Sequence, residues 1–131
     1  MRKRVKFIGF LKEKIPNTSN SLNLSDYIDS SYRFSINSNR DKIIRYLDSG
    51  IDLTYFTLWL YDNGSSIGPY TIKSDGTWIW PSYLSYYLKK YNNFKVDNSF
   101  FIDIERNDYR VPDIGKEELD YLLHELKNEL K

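Results

Sequence analysis

Asp103, Glu105 and His124 are the side chains of this chain whose types and spacing are best suited to chemistry. Positions 103 and 105 would face the same side of a β-strand, and a pair of carboxylates can share acid and base roles in hydrolysis. Alternation on a half-exposed strand gives the same pattern without any chemistry, and we favour that interpretation. His124, the single histidine, falls on the polar side of a predicted helix, where we expect an ordinary surface residue.

The usual sequence motifs of catalysis are missing from the chain. It has no cysteine, which excludes disulfides, thiol catalysis and thiolate metal sites. It has no Glu-x-x-His spacing, no glycine-rich phosphate loop and no Gly-x-Ser-x-Gly sequence. We therefore predict a protein that is not an enzyme and that uses no metal and no cofactor.

Charge is distributed unevenly, although the formal net charge is only +1. Residues 97–129 contain ten acidic and four basic side chains, a net charge of −6, and four of the first six residues are basic. The near-neutral total does not favour binding to nucleic acid or to an anionic membrane. The acidic segment fits either an ordinary solvated surface or a surface that docks on a basic protein. The second alternative predicts these partner-binding residues: Asp103, Glu105, Asp108, Asp113, Glu117 and Asp120.

The alternation of apolar residues predicts the strands that would position these groups. We place strands at residues 5–11, at 52–62, at 70–80 with a reversal at Asp75-Gly76, and at 99–107. The strand at 52–62 carries bulky residues on both faces, which is typical of a central strand that is covered on both sides.

Helices are predicted at residues 39–50, from Pro81 to about Tyr91, and at 115–131. The last of these places Leu119, Leu122, Leu123, Leu126 and Leu130 on one stripe. Residues 16–25 read as a loop, and residues 26–35 fit either a short helix or a strand. The fold class predicted for residues 1–131 is a single α+β domain, a mostly antiparallel sheet packed against helices that include the C-terminal amphipathic one.

The N-terminal residues do not predict an export signal. The apolar stretch after the basic start ends at Lys12 after about five residues, which is shorter than a signal peptide requires. No apolar run approaches the roughly 20 residues of a membrane span. Together with the absence of cysteine, these features predict a cytoplasmic protein.

The aromatic segment at residues 74–91, SDGTWIWPSYLSYYLKKY, is predicted to form core with an amphipathic rim. Trp78 and Trp80 would share one side of a strand, and Tyr83 and Tyr86 would lie on a partly solvated helix face, where they become further candidate partner-binding residues. An alternative is an aromatic surface for single-stranded nucleic acid, helped by nearby lysines, or a carbohydrate site that combines tryptophan with Asp75.

The same segment resembles a motif of small, mostly uncharacterised bacterial proteins, roughly T-D-G-x-W-x-W-P-x-D-L-x-Y-Y-V-x-x-Y. The matching residues are Asp75, Gly76, Trp78, Trp80, Pro81, Leu84, Tyr86, Tyr87 and Tyr91. Ser74, Tyr83 and Leu88 replace Thr, Asp and Val, and the resemblance extends loosely to DYRVPDI at residues 108–114, about half the chain. Some of these proteins resemble the immunity proteins of polymorphic or contact-dependent toxin systems. The resemblance implies a bacterial protein that binds a cognate toxin domain and neutralises it by occlusion.

Overall fold

The computed structural model describes residues 4–34 and 38–130, and within them one four-stranded sheet is surrounded by helices. The strands are β1 (Lys6–Phe7), β2 (Ile51–Asp62), β3 (Ser65–Ser74) and β4 (Trp78–Pro81). The helices are α1 (Leu24–Tyr27), α2 (Arg40–Asp48), α3 (Leu84–Lys90), α4 (Asn98–Arg106) and α5 (Lys116–Glu129). The strand order is β1-β4-β3-β2, with β1 parallel to β4 and the other pairs antiparallel. The predicted α+β class is confirmed. Arg2, Lys3, Ser35 and Lys131, which the predictions above include, lie outside the described residues.

Two tight reversals build the antiparallel part of the sheet. Asn63 and Gly64 both have positive φ, 49° and 86°, the requirement of a two-residue hairpin whose twist matches its strands. The reversal at Asp75-Gly76 follows the prediction, and Gly76 has a φ of 99°. The first of the two strands predicted at 70–80 is β3, and it begins at Ser65, ahead of the start that the sequence pattern indicates.

Aromatic rings on β4 form the centre of the core. Trp78 and Trp80 are buried on the same side of the strand, and their ring centroids lie 5.0 and 5.5 Å from that of Phe100 on α4. Gly50 makes room for this packing, because a Cβ there would lie 2.5 Å from the Trp80 ring. The prediction that these tryptophans are core residues is confirmed.

The helix predicted at the C-terminus is present as α5. Leu122 and Leu126 are buried, and the other leucines of the predicted stripe are partly buried against the core. α2 matches the helix predicted at 39–50 and ends near Ser49. α3 begins three residues later than predicted, because Pro81 is still paired in β4.

The strand predicted at 99–107 is wrong, since this segment is helix α4. Phe100, Phe101 and Ile104 are buried on one helical face, while Ile102, the middle residue of the expected alternation, is exposed. A short apolar run fits both periodicities, and here packing against Trp78 and Trp80 favours the helix. Asp103 and Glu105 consequently lie about 200° apart around the helix instead of side by side.

The prediction that the strand at 52–62 is central is also wrong. β2 has the predicted bounds to within one residue, but it forms the edge of the sheet and pairs only with β3 in the described part of the chain. The first strand is shorter than predicted, and α1 shows that the start of the ambiguous segment is helical.

Candidate partner-binding surfaces

Most of the acidic candidates lie on the surface that runs from α4 to α5. Glu105, Asp108, Asp113, Glu117 and Asp120 are all exposed. Glu117 and Asp120 are three positions apart on α5 and therefore share a face of that helix. We refer to the five exposed residues as the acidic surface.

Asp103 differs from the other acidic candidates because its side chain is only partly exposed and its carboxylate is bonded to other residues of the protein. Its Oδ2 accepts a hydrogen bond of 2.8 Å from the indole Nε1 of Trp78, and Arg106 lies 3.6 Å from its Oδ1. Only 25% of the side chain is exposed. We therefore assign Asp103 to the anchoring of α4 on the sheet rather than to partner binding.

The prediction that Tyr83 lies on a solvated face is wrong. Its ring is fully buried, and its hydroxyl accepts a hydrogen bond of 2.8 Å from the backbone N–H of Leu11. Burial raises the pKa of Tyr83 above that of an ordinary tyrosine. The late start of α3 explains the error, since Tyr83 precedes the helix and points into the core.

Tyr86 is half-buried and is tied to the end of β2. Its hydroxyl donates a hydrogen bond of 2.9 Å to Asp62 Oδ2, which also accepts from the Lys90 ammonium. The bond from Lys90 is the main reason that the pKa of Asp62 lies below its usual range. Tyr86 therefore holds its polar end within the protein, and only part of its side chain is exposed.

Asp75 has a structural role in the aromatic segment. It is 3% exposed, and its Oδ1 accepts backbone hydrogen bonds from Thr77 and Trp78 at 2.9 and 2.8 Å. Its Oδ2 accepts from the Tyr46 hydroxyl at 2.7 Å, and that hydroxyl in turn accepts from Asn107. The carbohydrate site predicted from Asp75 and tryptophan is contradicted, because the carboxylate and the indoles of Trp78 and Trp80 are all buried.

A row of exposed aromatic residues on β2 is the surface feature that the sequence reasoning missed. Tyr55, Trp59 and Tyr61 are 70%, 53% and 56% exposed, and Thr57 between them is exposed as well. We refer to these four residues as the aromatic face. The Asn63-Gly64 hairpin pairs β2 with β3 along one side, but no signal in the sequence shows that the other side of β2 is left without a neighbouring strand.

Hydrogen bonds hold two rings of the aromatic face in place. The indole Nε1 of Trp59 donates to Ser66 Oγ at 2.7 Å, and the Tyr55 hydroxyl donates to Asp52 Oδ2 at 3.2 Å. Opposite these residues on β3 lie Thr71 and Pro69, the cross-strand partners of Tyr55 and Trp59.

A groove continues from the aromatic face toward α3. Pro69 and Thr71 form part of its wall, Tyr86 and Lys89 form the other side, and its volume is about 370 Å³. Scaled by their exposed fractions, the three rings present about 400 Å² of surface. A patch of this size on a monomer is often functional.

The described residues contain no grouping of three or more side chains that could hold a metal ion. His124 is exposed on α5 beside Asn128, as its sequence position predicts. Among the helices of the described chain, none has the length and apolar character needed to cross a membrane.

No protein-family model matches the chain, and no curated protein and no solved structure is significantly similar to it.

Proposed function

We propose that this protein is a cytoplasmic immunity protein, which binds a cognate toxin domain and neutralises it by occlusion without catalysing a reaction. The observation that carries the binding function is the aromatic face of β2. Residues 74–91 resemble a motif of small, mostly uncharacterised bacterial proteins, some of which resemble immunity proteins, and this resemblance supports the more specific role.

The aromatic face has the composition of a protein–protein interface. Tyrosine and tryptophan are enriched in such interfaces, while charged residues are depleted at their centre. Residues 53–61 of β2 contain no charged side chain, and the nearest carboxylates of the strand, Asp52 and Asp62, lie at the two ends of this stretch. The bonds of Trp59 to Ser66 and of Tyr55 to Asp52 restrict both rings before binding, which lowers the entropic cost of association.

The exposed aromatic residues also support a second candidate, a surface that stacks single-stranded nucleic acid. Such a surface needs cations beside the rings to hold phosphates. Lys73 pairs with Asp52 at 2.8 Å, Lys90 pairs with Asp62, and Lys14 donates to the Tyr61 carbonyl at 2.8 Å, so these three lysines near the ends of β2 are already engaged. A protein partner therefore fits the aromatic face better than a nucleic acid does.

The acidic surface supports a partner with a basic surface. A nuclease toxin holds phosphates with basic groups, and an inhibitor of complementary charge associates faster because the field steers the encounter. In this proposal the aromatic face supplies most of the affinity, and Glu105, Asp108, Asp113, Glu117 and Asp120 raise the association rate.

Binding to the C-terminal domain of a toxin encoded beside this gene tests the proposal. Trp59→Ala is expected to weaken binding by about 2 kcal/mol or more, the effect of a central interface residue, and mainly to raise the dissociation rate. Ile102→Ala is the matched control, because Ile102 is an exposed apolar residue on α4.

Charge reversal tests the acidic surface separately. Glu117→Lys combined with Asp120→Lys should slow association, and the difference from wild type should shrink as added salt screens exposed charges over about 8–10 Å. Asp41→Lys, at an exposed position on α2, is the control. Unchanged binding in both the Trp59 and the charge-reversal variants would contradict the proposed surfaces.

A further inference from the structure

A cleft between α2 and the segment that follows α4 gathers positive charge. Lys42, Arg45 and Arg110 line it together with Tyr46 and Tyr109, and its volume is about 480 Å³. Its described lining residues include no carboxylate. We refer to it as the basic cleft.

The three cations of the basic cleft are available to a ligand. Within residues 4–34 and 38–130, no carboxylate lies within ion-pair distance of Lys42, Arg45 or Arg110. Lys42 and Arg45 lie three positions apart on α2 and therefore project from the same side of the helix. Like charges gathered in a concave surface concentrate the field there and attract anions.

The backbone after α4 brings the third cation and an aromatic wall to the cleft. Asp108 and Tyr109 have φ values of 54° and 57°, a left-handed conformation that non-glycine residues rarely adopt in succession. This turn places the half-buried Tyr109 ring 5.3 Å from the Lys42 ammonium and carries the chain on to Arg110. The turn at Asp108 and Tyr109 thus brings the segment after α4 against α2, although the two are distant in sequence.

The three positive charges of the basic cleft indicate a ligand that carries more than one negative charge. We propose that the basic cleft binds a small ligand that carries a diphosphate group, such as a nucleoside diphosphate. Two guanidinium groups can each make paired hydrogen bonds to phosphate oxygens, with the lysine as a third cation. A single carboxylate would neutralise only one of the three positive charges. The cleft volume falls within the usual range for small-molecule sites.

Isothermal titration with ADP, inorganic pyrophosphate and adenosine tests the proposal at low ionic strength. Wild-type protein is expected to bind ADP and pyrophosphate, with added salt weakening both, and to bind adenosine at least tenfold more weakly than ADP. Arg45→Gln combined with Arg110→Gln should weaken ADP binding at least tenfold. The control removes two exposed lysines elsewhere, Lys12→Gln with Lys127→Gln, and so has the same net charge.

Four outcomes would overturn the proposal. They are no binding of ADP or pyrophosphate at millimolar concentration, equal loss of binding in the cleft variant and the control, adenosine binding as tight as that of ADP, and tighter binding of a hexaglutamate peptide than of ADP. The last result would assign the cleft to an acidic segment of a protein. Thermal unfolding of each variant checks that its fold is intact, and both sets of substitutions alter only exposed side chains.

Discussion

Replacement of Asp75 by alanine tests whether the aromatic segment depends on its buried carboxylate. The substitution removes the acceptor of three hydrogen bonds, two from the backbone N–H groups of Thr77 and Trp78 and one from the Tyr46 hydroxyl. The three donors lie in the reversal (Thr77), at the first residue of β4 (Trp78) and on α2 (Tyr46). The alanine variant leaves them without this partner in a site that water does not reach freely.

The expected cost follows from the number and type of these bonds. A hydrogen bond to a charged group contributes about 1.5–3 kcal/mol, but the desolvation of the carboxylate offsets part of the sum. We expect Asp75→Ala to lower the free energy of unfolding by about 3–5 kcal/mol, out of a total of roughly 5–15 kcal/mol for a domain. Asp75→Asn keeps one acceptor oxygen for the two backbone donors and should cost about 1–2 kcal/mol.

Urea denaturation measures both variants, with Asp113→Ala as an exposed aspartate control that should change stability by less than about 0.5 kcal/mol. Tyr46→Phe, alone and combined with Asp75→Ala, completes a double-mutant cycle. Because both substitutions remove the same hydrogen bond, the double variant should be more stable than the sum of the single losses predicts. An Asp75→Ala variant within about 1 kcal/mol of wild type would refute the reasoning.

Four further predictions follow from the core, a helix cap, the tyrosines and the absence of a metal grouping in the described chain. Trp80→Ala should cost about 3–5 kcal/mol in thermal unfolding, since the ring is buried against Phe100, and a loss below about 1 kcal/mol would contradict its core role. Asp97→Ala removes the 3.0 Å cap to the Ser99 N–H and should cost about 1 kcal/mol near neutral pH. The same bond lowers the pKa of Asp97, so this contribution should vanish as acid protonates the folded carboxyl, and a cost that does not change with pH would argue against the cap. Burial raises the pKa of Tyr27 and Tyr87 from 10.0 to about 12, so their contribution is complete below pH 10 and is lost as the pH rises toward 12. Denaturation midpoints that stay constant over that interval would contradict this assignment. Chelation by EDTA should leave the melting temperature unchanged, and a drop would reveal a metal site.

Segments whose apolar residues fit a single periodicity could be predicted from the sequence, whereas a segment that fits two periodicities could not. α5 extends over fourteen residues with a leucine stripe, and a pattern of that length fits only one period. α4 has nine residues, and its Phe100, Ile102 and Ile104 satisfy strand alternation by chance. Asp97 was the better signal for a helix, because aspartate is a preferred N-cap residue and here its side chain accepts a hydrogen bond from the Ser99 N–H at the start of α4.

Which residues of the candidate site are exposed depends on the order of the strands in the sheet, and the sequence alone does not specify that order. The aromatic pattern of β2 is the same for a covered central strand and an exposed edge strand, and only the order β1-β4-β3-β2 distinguishes them. Tyr83 illustrates the reverse error. A start of α3 three residues later than predicted moves it from a solvated face into the core. The acidic surface was easier to predict, since charged residues are rarely buried without partners.

Co-expression with the cognate toxin domain, which the proposed function expects to be encoded beside this gene, tests the central claim most directly. Wild-type protein and the Ile102→Ala variant should restore growth of cells that produce the toxin domain, whereas a variant that combines Tyr55→Ala, Trp59→Ala and Tyr61→Ala should fail although it accumulates and remains folded. Full protection by that triple variant would show that the aromatic face is not the contact surface. No protection by the wild-type protein would contradict the proposed immunity function itself.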